Sequence, residues 1–149
     1  MRGNGRALRF TLLLPLIVGA CATPSLPVEE GVSSPFGMRW IGILPGIHRG
    51  TDFGAPDGTP VRAMAAGRVR FAGVMEGYGN VVWIDHPGGV ITVYAHLSRM
   101  DVSAGREVSR RKVVGLSGST GSTTGPNLHF EVWKGGRPVD PLQYLGKRP

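Results

Sequence analysis

Apolar residues in this chain come in short runs of valine, isoleucine, leucine and aromatics, broken every few positions by glycine, proline or a charge. Residues 61–64, 69–72, 80–85, 90–97 and 128–133 each match a strand, being short, rich in β-branched residues and bounded by turn formers. Pro87-Gly88-Gly89 separates two of these runs and predicts a hairpin turn. No stretch of about twelve residues carries the repeat of an amphipathic helix. The pattern predicts an all-β, antiparallel domain, a sandwich or squashed barrel.

Alternation then sorts the side chains, because residues two apart on a strand share a face. Leu128, Phe130 and Val132 are predicted to face the core, leaving Asn127, His129 and Glu131 together on the other side. Ile91, Val93 and Ala95 likewise share one face, and Thr92, Tyr94 and His96 the other. Two strands thus each offer a polar face with one histidine, where a free sheet surface more often holds lysine, threonine and glutamate.

Residues 1–20 stand outside this pattern. Arg2, Arg6 and Arg9 precede an apolar run over residues 10–20, which has the length of a secretory signal and falls short of the roughly 20 residues of a membrane span. Val18-Gly19-Ala20-Cys21 resembles a bacterial lipobox, which implies lipidation of Cys21 with the leader cut just before it; a plain secretory signal is the alternative. The lipobox resemblance implies two or three acyl chains, where one alone holds only marginally. Alanine at position 22 favours the outer membrane, so the expectation is an exported lipoprotein on its periplasmic face. Residues 21–31 read as lipidated cysteine and tether, and residues 32–146 as the folded domain. Cys21 is the only cysteine, so the domain has no internal disulfide and any metal site must use nitrogen and oxygen ligands.

Removing three leader arginines lowers the formal charge from +7 to +4. That balance, in an exported chain, argues against nucleic-acid binding and is compatible with an anionic polymer such as cell wall. The densest basic cluster, Arg110-Arg111-Lys112, reads as a solvated face beside a turn. Glycine, at 24 of 149 residues, is well above the average of about 7%, but without a fixed period it indicates neither collagen nor a solenoid.

The chemistry lies in His48-Arg49-Gly50-Thr51-Asp52 and in Gly125-Pro126-Asn127-Leu128-His129-Phe130-Glu131. Two imidazoles and a carboxylate are the ligand set of a catalytic zinc site with one position open. Further landmarks stand in order around them: Ser34-Pro35-Phe36-Gly37-Met38-Arg39, Gly77-Tyr78-Gly79-Asn80, Tyr94-Ala95-His96-Leu97, Gly118-Ser119-Thr120-Gly121 and Asp140-Pro141. From about Ser34 to Leu145 the chain resembles the lysostaphin-type (LytM-type) zinc endopeptidases, which cut peptide stems and cross-bridges of peptidoglycan. The resemblance implies a fold of the duplicated-hybrid-motif type, Zn2+ as cofactor, and zinc ligands at His48, Asp52 and His129. It also implies two histidines beside the metal that orient water and carry its proton. One falls on His96. The other falls on position 127, where this chain has asparagine, a residue that can donate a hydrogen bond but cannot exchange a proton at neutral pH.

Other candidates are weaker. His86, just before the Pro87-Gly88-Gly89 turn, reads as structural. Glu131 reads either as an acceptor that orients an imidazole or as a solvated glutamate. Residues 115–125 lack the Gly-Lys-Ser/Thr ending of a phosphate loop and read as a turn that delivers the His129 strand. Two functions are consistent with the whole: a lipid-anchored zinc metalloendopeptidase of peptidoglycan, slowed by Asn127, or a non-catalytic relative that binds peptidoglycan or activates a cell-wall amidase. Survival of all three ligands favours the enzyme.

Overall fold

A computed structural model describes residues 23–41 and 44–146; the leader and Cys21 lie outside the described residues. The elements in chain order are β1 (Val32–Ser34), β2 (Gly37–Ile41), β3 (Leu44–His48), β4 (Thr51–Phe53), β5 (Pro60–Arg62), β6 (Gly67–Met75) and β7 (Gly79–His86). Then follow β8 (Val90–Met100), β9 (Glu107–Val108), β10 (Val113–Ser117), β11 (Leu128–Lys134), β12 (Arg137–Val139) and one short helix, α1 (Pro141–Tyr144). All strand pairings are antiparallel, as the alternation predicts. The main sheet runs β1-β4-β11-β8-β7-β6-β9, with β10 joined to β5 and β8 and β12 joined to β11, while β2 and β3 form a separate hairpin. The predicted turn closes β7 onto β8, with His86 opposite Val90 and both Gly88 and Gly89 at positive φ.

The long strand β8 organises the molecule. Its first part, to Ala95, pairs with β11; its last part, from Leu97, pairs with β10. Between them Asn80 pairs with Leu97 while Val82 pairs with Tyr94, so two steps on β7 face three on β8. That is a bulge, and a bulge lets one strand bend from one layer into another. His96 occupies it, at φ 62°.

The main core lies inside this bend and holds Phe53, Val61, Met64, Val82, Ile84, Tyr94, Leu97, Leu128, Phe130 and Val132. Leu128, Phe130 and Val132 face it as expected. The expected faces of β8 are reversed: Tyr94 packs with Phe130 in the main core, at a ring separation of 5.3 Å, and Val93 and Ala95 lie on the face that carries His129. Tyr94 and Thr92 can be inward because their hydroxyls are used. They lie 3.0 Å apart, the Tyr94 hydroxyl accepts the Met64 N–H at 2.9 Å, and Thr92 meets His86 Nε2 at 2.7 Å. On the opposite face Val81, Val93 and Ala95 form a second apolar cluster under Phe71, Trp83 and Trp133.

Several strands were not legible as apolar runs. β1 to β4 are only three to five residues long, β3 is interrupted by proline and glycine, and β10 runs into the segment that the sequence presents as a turn. Gly115 and Gly118 explain the glycines there. A Cβ on either would run into the β8 backbone, at Arg99 and Ser98.

Candidate metal centre

His48 is the last residue of β3, Asp52 is central in β4, and His129 stands on β11 directly across from Asp52. The turn that brings His48 and Asp52 together passes against β11. A Cβ on Gly50 would collide with the Phe130 carbonyl, which is why glycine separates the two ligand candidates. Asp52 Oδ1 lies 2.7 Å from His129 Nδ1 and 3.1 Å from His48 Nε2, and the two ring nitrogens lie 3.1 Å apart. Ligand atoms on a tetrahedral zinc with bonds of about 2.0–2.1 Å stand roughly 3.4 Å apart, so a small opening of this triangle admits the ion.

The outer nitrogens fix which inner nitrogen is free. His48 Nδ1 donates to the Pro35 carbonyl at 2.7 Å, leaving the Nε2 lone pair turned inward. His129 Nε2 donates to Glu131 Oε1 at 2.9 Å, leaving Nδ1 inward. Such contacts set the tautomer and orientation of metal-binding imidazoles. Glu131 is fully buried and accepts from His129, from the Tyr78 hydroxyl at 2.9 Å and from Trp133 Nε1 at 2.5 Å. It is therefore an orienting acceptor and not a solvated glutamate.

Electrostatics agree with a cation site. Burial opposes charge on His129, yet the carboxylates of Asp52 and Glu131 on either side raise its pKa to about 9. Burial also works against charge on Asp52 and Glu131, but hydrogen bonds from the histidines outweigh it and hold both carboxyls below their usual range. A cation bound here would displace the His129 proton, and the carboxylates of Asp52 and Glu131 that favour positive charge on that ring would favour the ion in the same way.

The centre lies in an open cleft of about 460 Å³ whose lining also includes Arg39, Ile47, Arg49, Tyr78, His96, Thr123 and Asn127. His96 reaches the cleft only because of the bulge, since strict alternation from Tyr94 would bury it. Its N–H donates to the Tyr78 carbonyl at 2.9 Å, and its Nδ1 donates to the Thr120 carbonyl at 2.8 Å, so Nε2 keeps its lone pair. Burial lowers its pKa, which keeps the ring neutral and basic at neutral pH. The ring lies 5.8 Å from that of His129.

Asn127 also lines the cleft, but its amide is tied back. Nδ2 donates to Thr123 Oγ1 at 2.6 Å and to the Gly125 carbonyl at 3.2 Å, while Oδ1 is buried without a partner. Thr123 uses its own proton on Gly125, so the amide can only present its NH2 to that loop. The Asn127 donors are thus occupied, and an oxyanion cannot draw on them in this conformation. His86 takes no part in the centre: its Nδ1 bonds the Ala66 carbonyl at 2.8 Å and its Nε2 meets Thr92, a structural role as expected. Sequence reasoning gave no role to Tyr78 or Pro35, which hold Glu131 and His48. Their only signal was their place inside the landmarks Gly77-Tyr78-Gly79 and Ser34-Pro35-Phe36.

A model of peptidase family M23 matches residues 46–141, a span that contains His48, Asp52, His96, Asn127 and His129. The chain belongs to peptidase family M23. Among M23 relatives, the DD-carboxypeptidase/endopeptidase Mpg of Neisseria meningitidis is 50% identical over 117 residues, 77% of this chain and 27% of Mpg. The peptidoglycan DD-endopeptidase ShyA of Vibrio cholerae is 45% identical over 96 residues, 64% of this chain and 22% of ShyA. The lipoprotein YgeR of Escherichia coli is 36% identical over 146 residues, 87% of this chain and 58% of YgeR. This chain therefore spans only about a quarter of Mpg and ShyA and little more than half of YgeR. Among solved structures, the catalytic domain of the antimicrobial peptidase lysostaphin from Staphylococcus simulans superposes with a TM-score of 0.73 at 33% identity, covering 79% of this chain and 93% of that domain. A zinc-containing peptidase from Vibrio cholerae gives a TM-score of 0.73 at 36% identity over 77% of this chain and 37% of that one. The M23 fold and the all-β expectation agree.

Proposed function

We propose that this M23 domain is a zinc metalloendopeptidase that hydrolyses peptide bonds of peptidoglycan, carried as a lipoprotein anchored through Cys21 on the periplasmic face of the outer membrane. One observation carries the reading: three ligand-type atoms, His48 Nε2, Asp52 Oδ1 and His129 Nδ1, converge within 3.1 Å while the outer ring nitrogens are held by Pro35 and Glu131. Those three residues would hold Zn2+, which supplies Lewis acidity and an acidified water. His96 Nε2 accepts the proton of the attacking water and returns it to the leaving amine. Asn127 cannot share that proton, and its amide is engaged elsewhere. General acid–base help is worth on the order of 10²–10⁴-fold, so the substitution slows hydrolysis without removing it. Support for the substrate comes from ShyA and for the anchor from YgeR together with the lipobox-like residues 18–21.

The occupied amide of Asn127 favours a second reading, a non-catalytic domain that binds peptidoglycan or activates a cell-wall amidase. Mass spectrometry of fragments released from purified peptidoglycan by residues 22–149, with and without a zinc chelator, separates the two. Chelator-sensitive release of peptides is expected and identifies the bond. No release from folded, zinc-loaded protein would put the second reading first. His129→Ala is expected to lose both zinc and release; wall cleavage that survived it would displace the metal from this site.

A further inference from the structure

Thr23, two residues past Cys21, is held in place. Its carbonyl accepts from Arg110 Nη1 at 3.2 Å. Behind it Ser25 N–H donates to the Met64 carbonyl at 3.0 Å, the Pro27 carbonyl accepts the Arg62 N–H at 2.9 Å, and Val28 is buried in the core. The described chain therefore begins at the turn over residues 109–112, two residues after Cys21 in the sequence.

That turn is basic and exposed. Arg110, Arg111 and Lys112 all face solvent, with Arg111 at φ 66° and its N–H on the Ala63 carbonyl at 2.8 Å. Arg62 joins them by donating to the Arg111 carbonyl at 3.3 Å. The neighbouring acids are Glu29, which meets Arg111 at 3.7 Å, Asp101, which is paired with Arg99 at 2.7 Å, and Glu107, which lines the same hollow as Lys112. Four cations gather where the chain emerges. From this turn β10 runs from Val113 to Ser117, next to the loop that lines the cleft, so about 13 Å of strand separates the basic turn from the cleft end.

We infer that Arg62, Arg110, Arg111 and Lys112 form a membrane-contact face that rests on anionic phospholipid head groups beside the anchor and turns the cleft away from the bilayer. The inference rests on the anchored reading of Cys21. Clusters of four or more cations next to an anchor attract anionic lipid, and acyl chains with a basic patch act as paired signals. An anionic wall polymer is the other partner of matching charge, but it does not explain why the cluster grips the residues that follow Cys21.

The test is flotation of residues 22–149, unlipidated, with vesicles of phosphatidylcholine alone or with added phosphatidylglycerol. The lysostaphin catalytic domain, solved by itself, shows that this fold stands alone. Binding is expected only with phosphatidylglycerol, to weaken with salt, and to fall by at least about tenfold in the Arg110→Glu, Lys112→Glu double variant. Absence of binding, or equal binding by the double variant, overturns the inference. So does a double variant that keeps vesicle binding and loses binding to purified sacculi. Mass spectrometry of Cys21 in the full chain reads the anchor separately: a lipidated cysteine with no vesicle binding by the domain sinks the patch alone, and an unmodified cysteine sinks the anchor.

Discussion

Glu131 carries more of the site than any residue that would touch the metal. A carboxylate with no exposed surface accepts from three different donors, and one of them is the imidazole that faces Asp52. In Glu131→Gln the amide oxygen can still accept from His129 and Tyr78, but its NH2 then faces the Trp133 donor and one buried group goes unpaired. Zinc affinity is expected to fall by about 10–100-fold, read by competition with a chromophoric chelator. Unchanged affinity would mean that the backbone alone orients His129. Asn127 is the opposite case, a cleft residue whose polar atoms serve the loop. Asn127→His is expected to raise turnover on peptidoglycan by on the order of 10²-fold if His96 now works alone. A rate that stays level or drops would show that the Thr123 and Gly125 contacts of Asn127 belong to the working cleft.

At the scale of elements, β8 decides where chemistry can stand. Alternation reads β11 correctly because that strand is regular, with His129 and Glu131 opposite Leu128, Phe130 and Val132. On β8 the same rule puts Thr92, Tyr94 and His96 on one face, whereas Thr92 and Tyr94 face the core and only His96, at an extra residue with no signature in residue type, reaches the cleft. Polar Thr92 and Tyr94 look like surface residues until the partners of their hydroxyls are known. The metal ligands were legible because His48-x-Gly50-x-Asp52 and Leu128-His129-Phe130 are local motifs; the placement of His96 on the correct side was not, since it depends on where β8 changes partners. The buried polar chain gives this element a pH signature. Burial lowers the pKa of His86 despite the nearby Asp85 carboxylate. With His86 neutral and its Nδ1 proton on the Ala66 carbonyl, the buried chain from Nε2 through the Thr92 and Tyr94 hydroxyls carries no charge to desolvate. Below the unfolded histidine pKa, near 6.5, the unfolded chain binds a proton that the native chain refuses, so stability falls as pH falls. His86→Gln is expected to flatten the loss of Tm between about pH 7 and pH 5.5, even if it is less stable throughout. An equally steep loss in the variant would assign that dependence to other groups.

For the molecule as a whole, a metal held by His48, Asp52 and His129 would supply the cross-link that the single cysteine, before the domain, cannot. His48 comes from the separate β2–β3 hairpin, whereas Asp52 and His129 belong to the main sheet. The hairpin has little burial to hold it: Met38, Trp40, Leu44 and Ile47 are 85%, 75%, 67% and 80% exposed. Among the described residues it meets the body through the buried His48, which contacts Pro35, Asp52 and His129, and through the long contacts of Arg39 to Ser34 and Asp52, at 3.4 and 3.5 Å. Zinc at a free concentration 1,000 times its Kd would stabilise the native state by about 4 kcal/mol, on the order of 10 °C in Tm for a domain of this size. The effect should not be uniform. Weakly buried elements open locally at a lower cost than the core, so removing the ion is expected to release the hairpin first. Hydrogen exchange followed by mass spectrometry should show the amides of β2 and β3 losing protection on chelation while β7, β8 and β11 keep theirs. Asp52→Ala should reproduce the chelated pattern and ignore added zinc. Equal loss of protection in hairpin and sheet would mean instead that the ion holds the whole domain together, and that the hairpin is no more loosely joined than the strands beneath it.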